Sequence, residues 1–232
     1  MGMDIRQITV EGLTQLNYAF GYITPGDFYI VPMPGVDPLT FGQFASLKQN
    51  NPALIVEISL GGWVFNGNGT QTTQTQDAFG DIISRPENRQ KFITNLLAFM
   101  YFYGFDAVDL DWEYPGAPDR QHNRDSSLDA GAYAVLLQDL RNAFDQEPSK
   151  LYLSFTAPTS YWHLRWFDIG LMAETADYFN LTTYDLHGTW DADDFIGAQV
   201  LAHTNLTEIG LALDLLSRND VSPSKVNLGL AF

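Results

Sequence analysis

Asp106, Asp109, Asp111 and Glu113 fall in the run Gly104-Phe-Asp-Ala-Val-Asp-Leu-Asp-Trp-Glu-Tyr-Pro-Gly116, which otherwise has the character of a buried strand. Successive strand residues point to opposite faces, so Asp109, Asp111 and Glu113 share one face and Val108, Leu110 and Trp112 the other. The apolar face suits a covering layer of helices. The acidic face crowds like charges within a few ångströms. Burying unpaired charge is costly, and the usual response is a carboxyl that holds its proton to higher pH. Proton transfer is the chemistry such a face serves. A purely structural acidic strand is one alternative. A cation site is another, because Asp-x-Asp-x-Glu offers the oxygen ligands that Mg²⁺ or Ca²⁺ takes. Asp106 is out of phase with the other acids, which fits a structural hydrogen-bonding role.

Regular elements must position these acids. Strand patterns read at about Leu13–Tyr22, Leu54–Leu60, Ala107–Trp112, Leu151–Thr156, Tyr178–Thr183 and Val226–Ala231. Helical patterns lie between them at about Leu39–Asn50, Pro86–Phe102, Leu128–Phe144, Leu164–Glu174 and Ile196–Ser217. Strict alternation of strand and helix points to an α/β fold with parallel strands. A closed barrel of this kind needs eight strands and roughly 250 residues, and catalytic groups sit at the C-terminal ends of its strands. Six strand patterns are visible here, and Glu113 lies at such an end. Trp162 and Trp166, four residues apart, fit one helix face and are expected in the core.

The chain has 232 residues with a net charge of -16, which argues against nucleic acid and anionic lipid as partners. An uncharged polymer is compatible with that charge. No apolar run approaches the roughly 20 residues of a membrane helix. Cysteine is absent, so there is no disulfide framework. His122, His163, His187 and His203 lack zinc-type spacing, and no phosphate-binding glycine loop precedes a lysine. No metal or cofactor is expected, and nothing points to a protein partner. The first residues, Met-Gly-Met-Asp-Ile-Arg, carry no apolar stretch of a secretory signal. Asn68-Gly-Thr and Asn205-Leu-Thr fit the glycosylation acceptor pattern, which also arises by chance.

Asp106-Ala-Val-Asp-Leu-Asp-Trp-Glu113 resembles the signature of the family 18 glycoside hydrolases, the chitinases. Leu16-Asn-Tyr-Ala-Phe20, Ser59-Leu-Gly-Gly-Trp63 and Thr183-Tyr-Asp-Leu-His-Gly-Thr-Trp190 are similar to the family's second, third and sixth strands, in family order. The stretches 161–168 and 202–207 resemble fungal large chitinases and killer-toxin-type chitinases. The resemblance implies a (β/α)8 TIM barrel of which this chain holds about six strands, two to seven, so that residues 1–232 are expected to form a partial catalytic domain. A truncated chain with open sheet edges is expected to dissolve poorly or melt with weak cooperativity.

The resemblance also implies the reaction: hydrolysis of β-1,4-N-acetylglucosaminide bonds in chitin or chito-oligosaccharides, outside the cell. Spacing by itself does not separate inverting from retaining chemistry, whereas this family is substrate-assisted. The 2-acetamido oxygen would be the nucleophile and the anomeric configuration would be retained. Glu113 would act first as acid and then as base. Asp111, two residues earlier and about 7 Å along the strand, would orient the acetamido N–H and supply the like charge that keeps a proton on the pair. Asp109 can share a proton with Asp111. Tyr184, in phase with Tyr178, Asn180 and Thr182, would donate to the acetamido oxygen, or else is a packed core tyrosine. Tyr18, Phe20, Gly61, Gly62, Trp63, Tyr114, Asp185 and Trp190 are the expected sugar-binding residues, the aromatic ones by stacking on apolar sugar faces. Ser59 and the two glycines shape a tight strand end. Thr182 stands where the family often has Met. A chitin-binding, lectin-like relative or an inactive truncated one, without turnover, is the competing reading, although lectin-like relatives usually lack the acid at Glu113.

Overall fold

The computed structural model describes residues 4–67, 75–117, 129–193, 197 and 199–231. The Asn68-Gly-Thr triplet, His122, most of the loop 115–129 and position 196 lie outside the described residues. The order of elements is β1 (Gln15–Ile23), β2 (Ile30–Pro32), α1 (Leu39–Ala45), β3 (Ile55–Gly61), α2 (Trp63–Asn66), α3 (Ala78–Ser84), α4 (Pro86–Tyr103), β4 (Ala107–Asp111), α5 (Asp129–Phe144), β5 (Tyr152–Pro158), α6 (Tyr161–Leu164), α7 (Ile169–Thr175), β6 (Tyr178–Thr182), α8 (Leu206–Arg218) and β7 (Val226–Leu228). The strands form one seven-stranded sheet in the order β2-β1-β3-β4-β5-β6-β7.

All six expected strands are present, and each is parallel to its neighbour among them. The sequence pattern missed β2, which pairs antiparallel to β1. At three residues ending in Pro32 it is too short to show an alternation. Helix boundaries also shift. The first helical pattern becomes α1 followed by a 3-10 segment, Ser46–Gln49. The pattern at 164–174 splits into α6 and α7, because Asp168 leaves helical geometry with ψ at 69°. Trp162 is therefore exposed and Trp166 half-buried rather than paired in the core, and the Arg165 guanidinium lies 4.0 and 5.2 Å from their ring centres. The last helix starts at Leu206, where the Asn205 side chain accepts from Thr207 N–H at 3.0 Å as an N-cap.

Local chemistry explains the long elements. In α4, Pro86 occupies the first turn and Glu87 complements the positive helix end, while Gly104, at φ 84°, closes the helix through an N–H bond to the Met100 carbonyl. β4 is buried along its whole length, with strands on both sides and helices over one face. Val56, Ile58 and Leu60 of β3 and Val108 and Leu110 of β4 pack in the apolar core. The other face carries Glu57, Ser59, Asp109 and Asp111, and the register sets Ser59 beside Asp109 and Gly61 beside Asp111.

Asp106 begins β4 from outside this column. Its carboxylate accepts from Val56 N–H at 3.0 Å and from Lys48 Nζ at 2.7 Å, tying the start of β3 to β4. Replacing Asp106 with Ala is expected to cost about 1–3 kcal/mol in chemical denaturation, because a strand N–H loses its acceptor.

Candidate active site

Asp109 is the hub of the acidic face. It is 1% exposed, and its two oxygens accept from Ser59 Oγ (2.6 Å), Ser154 Oγ (2.9 Å), Thr156 Oγ1 (3.1 Å) and Asn180 Nδ2 (3.0 Å). These donors come from β3, β5 and β6, so the carboxylate ties those three strands to β4. Burial raises its pKa in spite of four donors that lower it. The expected proton sharing between Asp109 and Asp111 has no hydrogen bond behind it: Asp109 is turned to the hydroxyls and the amide.

Asp111 differs sharply. Its carboxyl is buried, and Oδ1 has no hydrogen-bond partner among the described residues. Burial, then Glu113, then Asp109 drive its pKa well above the ordinary carboxylate value. Its main chain is held from β3's end: the Gly62 N–H and Asn66 Nδ2 donate to the Asp111 carbonyl at 3.0 and 3.1 Å. That approach requires glycine. Gly61 has φ 118°, and a Cβ there would lie 2.1 Å from the Asp111 carbonyl oxygen; at Gly62, φ 86°, it would meet the Phe20 ring at 2.8 Å. Gly61 and Gly62 thus shape the site through backbone and packing. Replacing Gly61 with Ala is expected to cost roughly 2–5 kcal/mol, read as a loss of soluble folded protein or of melting temperature, since backbone strain and a backbone clash coincide.

Glu113, half-buried, follows β4 by two residues, and Tyr184 follows β6 by two. The charges of Asp111 and Glu113, with Asp185 and Asp109 behind them, raise the Tyr184 phenol after burial has done so, which places the phenol in the field of the acids. Its ring packs over Gly229, where a Cβ would come within 2.7 Å. Thr182 shares the face of Tyr178 and Asn180, and its hydroxyl donates to the Ala157 carbonyl at 3.3 Å. Tyr114 stacks on His163 with ring centres 4.2 Å apart. Trp63 opens α2 and is 58% exposed; Trp190 is 53% exposed, lies over Gly188, and belongs to the 3-10 segment Thr189–Asp193. Asp185 is exposed at a positive φ of 54°. His187, buried between Asp191 (3.0 Å) and Glu208 (2.8 Å), fixes this loop to α8.

Tyr18 does not belong with these residues. It is in register with Ile58, on the helix side of the sheet, where it packs on Phe41 and Phe44 and bonds Thr40 Oγ1 at 2.9 Å. Strand alternation decides this: Ala19 beside Ser59 faces the acids, so Tyr18 faces away. The register shift between Ala19 and Gly21 then sets Phe20 against Gly62, at the acid end.

The sequence pattern passed over Glu57. It is fully buried one alternation step from Ser59, and accepts from Tyr178 Oη at 2.9 Å and from Gln15 Nε2, with Ser154 Oγ 2.7 Å away. Burial and the Asp109 charge push its carboxyl up to about 8. The signal was present: in Val56-Glu-Ile-Ser-Leu60 the polar residues alternate with apolar ones in phase with Asp109. Among the described residues, no group of three or more His, Cys, Asp or Glu side chains is arranged to hold a metal ion.

The sequence profile of the glycosyl hydrolases family 18 matches residues 3–232. The chain belongs to this family. The killer toxin subunits alpha/beta of Kluyveromyces lactis are 34% identical over 235 residues, covering 100% of this chain and 19% of the toxin. The secreted chitinase LysM12 of Penicillium expansum is 33% identical, covering 98% of this chain and 15% of its own length. The crystal structure of the Ostrinia furnacalis Group IV chitinase superposes with a TM-score of 0.77 at 28% identity, over 98% of this chain and 61% of that one. This family 18 chain therefore spans a fifth or less of the two fungal relatives and about three-fifths of the insect structure. Its seven-stranded, mostly parallel sheet is the wall of a TIM barrel.

Proposed function

We propose that residues 1–232 are the site-bearing part of a family 18 catalytic domain that hydrolyses β-1,4-N-acetylglucosaminide bonds in chitin or chito-oligosaccharides. The observation that carries this is Asp111: a buried carboxyl whose Oδ1 lacks a partner among the described residues, beside Glu113 at a strand end. A buried unsatisfied oxygen is costly to keep unless a ligand satisfies it. The acetamido N–H of the substrate would do so, swinging the acetamido oxygen toward the anomeric carbon as nucleophile. Glu113 would protonate the leaving oxygen and then activate water. Tyr184 would donate to the acetamido oxygen, where charge develops in the transition state. Exposed Trp63 and Trp190 would stack on sugar rings, with Tyr114 and Phe20 lining the floor. Relatives of this chain named chitinases, one of them secreted, support the substrate class and an extracellular location. No described helix is long and apolar enough to cross a membrane.

The test is proton NMR of chito-oligosaccharide cleavage. The first product formed is expected to carry the β-anomer, and an otherwise matched glucose oligomer is expected to resist cleavage. Initial α-anomer, or equal cleavage of both oligomers, would defeat the substrate-assisted mechanism.

A further inference from the structure

Beneath the acids at the strand ends, Ser154 Oγ lies 2.7 Å from Glu57 Oε1 and 2.9 Å from Asp109 Oδ1. A serine hydroxyl has one proton to donate. Two ionised carboxylates cannot both accept it, so one of the two contacts must run the other way, from a protonated carboxyl into the serine oxygen. Asp109 already receives Ser59, Thr156 and Asn180. The Asn180 amide is oriented by its own oxygen, which accepts from Asn227 Nδ2 at 3.1 Å. Among the described residues, Glu57 receives only Tyr178 and Gln15 besides Ser154, and it has no exposure to water. The better-solvated group keeps the charge.

We propose that Glu57 is a positioning residue: it holds a proton, donates it in a hydrogen bond to Ser154, and Ser154 in turn donates to an ionised Asp109. The chain Glu57–Ser154–Asp109 fixes the charge of the column below Asp111 and Glu113 at one rather than two. The titratable groups acting on Glu57 are Asp109 of β4 and Tyr178 of β6, with neutral Ser154 of β5 and Gln15 of β1 completing its surroundings. Deprotonation of Glu57 would set a second charge against Asp109 and turn Ser154 away from one of the two. That change would reach Asp111, whose protonation already depends on Asp109.

The protonation itself is testable without substrate, and so apart from the reading of the reaction on which the proposal's catalytic consequence rests. Infrared difference spectra between the chain and Glu57→Gln are expected to show a protonated carboxylic acid at pH 7 that disappears as pH rises through about 8. An ionised carboxylate at pH 7 would overturn the proposal, whether or not the chain cleaves any saccharide. For the consequence, kcat/KM for chito-oligosaccharide is expected to fall on the alkaline side over the range in which the infrared band is lost. Glu57→Gln, which keeps a neutral donor, is expected to lose that limb and to retain at least about ten times the pH 7 activity of Glu57→Leu. An unchanged alkaline limb in Glu57→Gln, or equal activity of the two variants, would remove Glu57 from a positioning role and leave it a packing residue.

Discussion

Replacing Glu113 with Gln is expected to lower chito-oligosaccharide hydrolysis by at least about 100-fold, the usual scale for losing a general acid. The amide is isosteric and still donates hydrogen bonds, so folding and sugar binding are expected to survive. What it lacks is a transferable proton. The side chain follows the end of β4, half-buried, while Asp111 behind it is buried. Burial first and the Glu113 charge second push the Asp111 carboxyl up, so the two carboxyls do not both ionise easily. A proton is thereby kept at the strand end, where a leaving oxygen can take it. The measurement is kcat against KM on a chromogenic chito-oligosaccharide. A fall in kcat with KM little changed is the expected pattern, because the proton is needed in the transition state and not for binding. Unchanged kcat would remove Glu113 from the acid role.

Asp111→Asn is expected to lower kcat by about 10- to 1000-fold and to change stability in the other direction at high pH. Asparagine keeps the shape, but it cannot take the negative charge that would polarise the acetamido N–H as the intermediate forms. For stability, the sign follows from the raised pKa. The folded chain holds the Asp111 proton to a higher pH than the unfolded chain, whose carboxyl has the ordinary value of 3.8. Stability from this group is fully present below that value and is lost as pH rises through the folded pKa. The asparagine variant has no such proton to lose. Its melting temperature is expected to fall less steeply than that of the parent as pH rises above the ordinary carboxylate value of 3.8. Parallel melting curves across that range would show that Asp111 is not held protonated by the fold. A stability gain paired with an activity loss is characteristic of a strained functional group.

The sequence alone determined a good deal. The spacing Asp109-x-Asp111 determines that these two acids share a face, because the strand period of two admits no other arrangement, whereas Glu113 lies two residues past the end of β4. All six parallel strands were legible because each alternates with a helical pattern of sufficient length. Asp106 was separable from the other acids by its phase. Residues in β2 and in the split helix at 161–175 were not legible. Three residues carry no period, and the break at Asp168 is a matter of one backbone angle rather than of composition.

Only the tertiary structure decided which polar groups meet. Tyr18 had the right residue type in the right motif, yet register with Ile58 turns it into the helix layer. Alternation along β3 put Glu57 on the face of Ser59, and register brings it under Asp109 with Ser154 between them. Ser154, Tyr178 and Asn180 reach the same two carboxyls from strands distant in the chain. The physical reason is that phase along a strand is a local property, fixed by the sequence within that strand. Register between strands is not local: it depends on how neighbouring strands are packed and paired, and it alone settles whether a buried acid finds donors, a second acid, or an oxygen left open for a substrate.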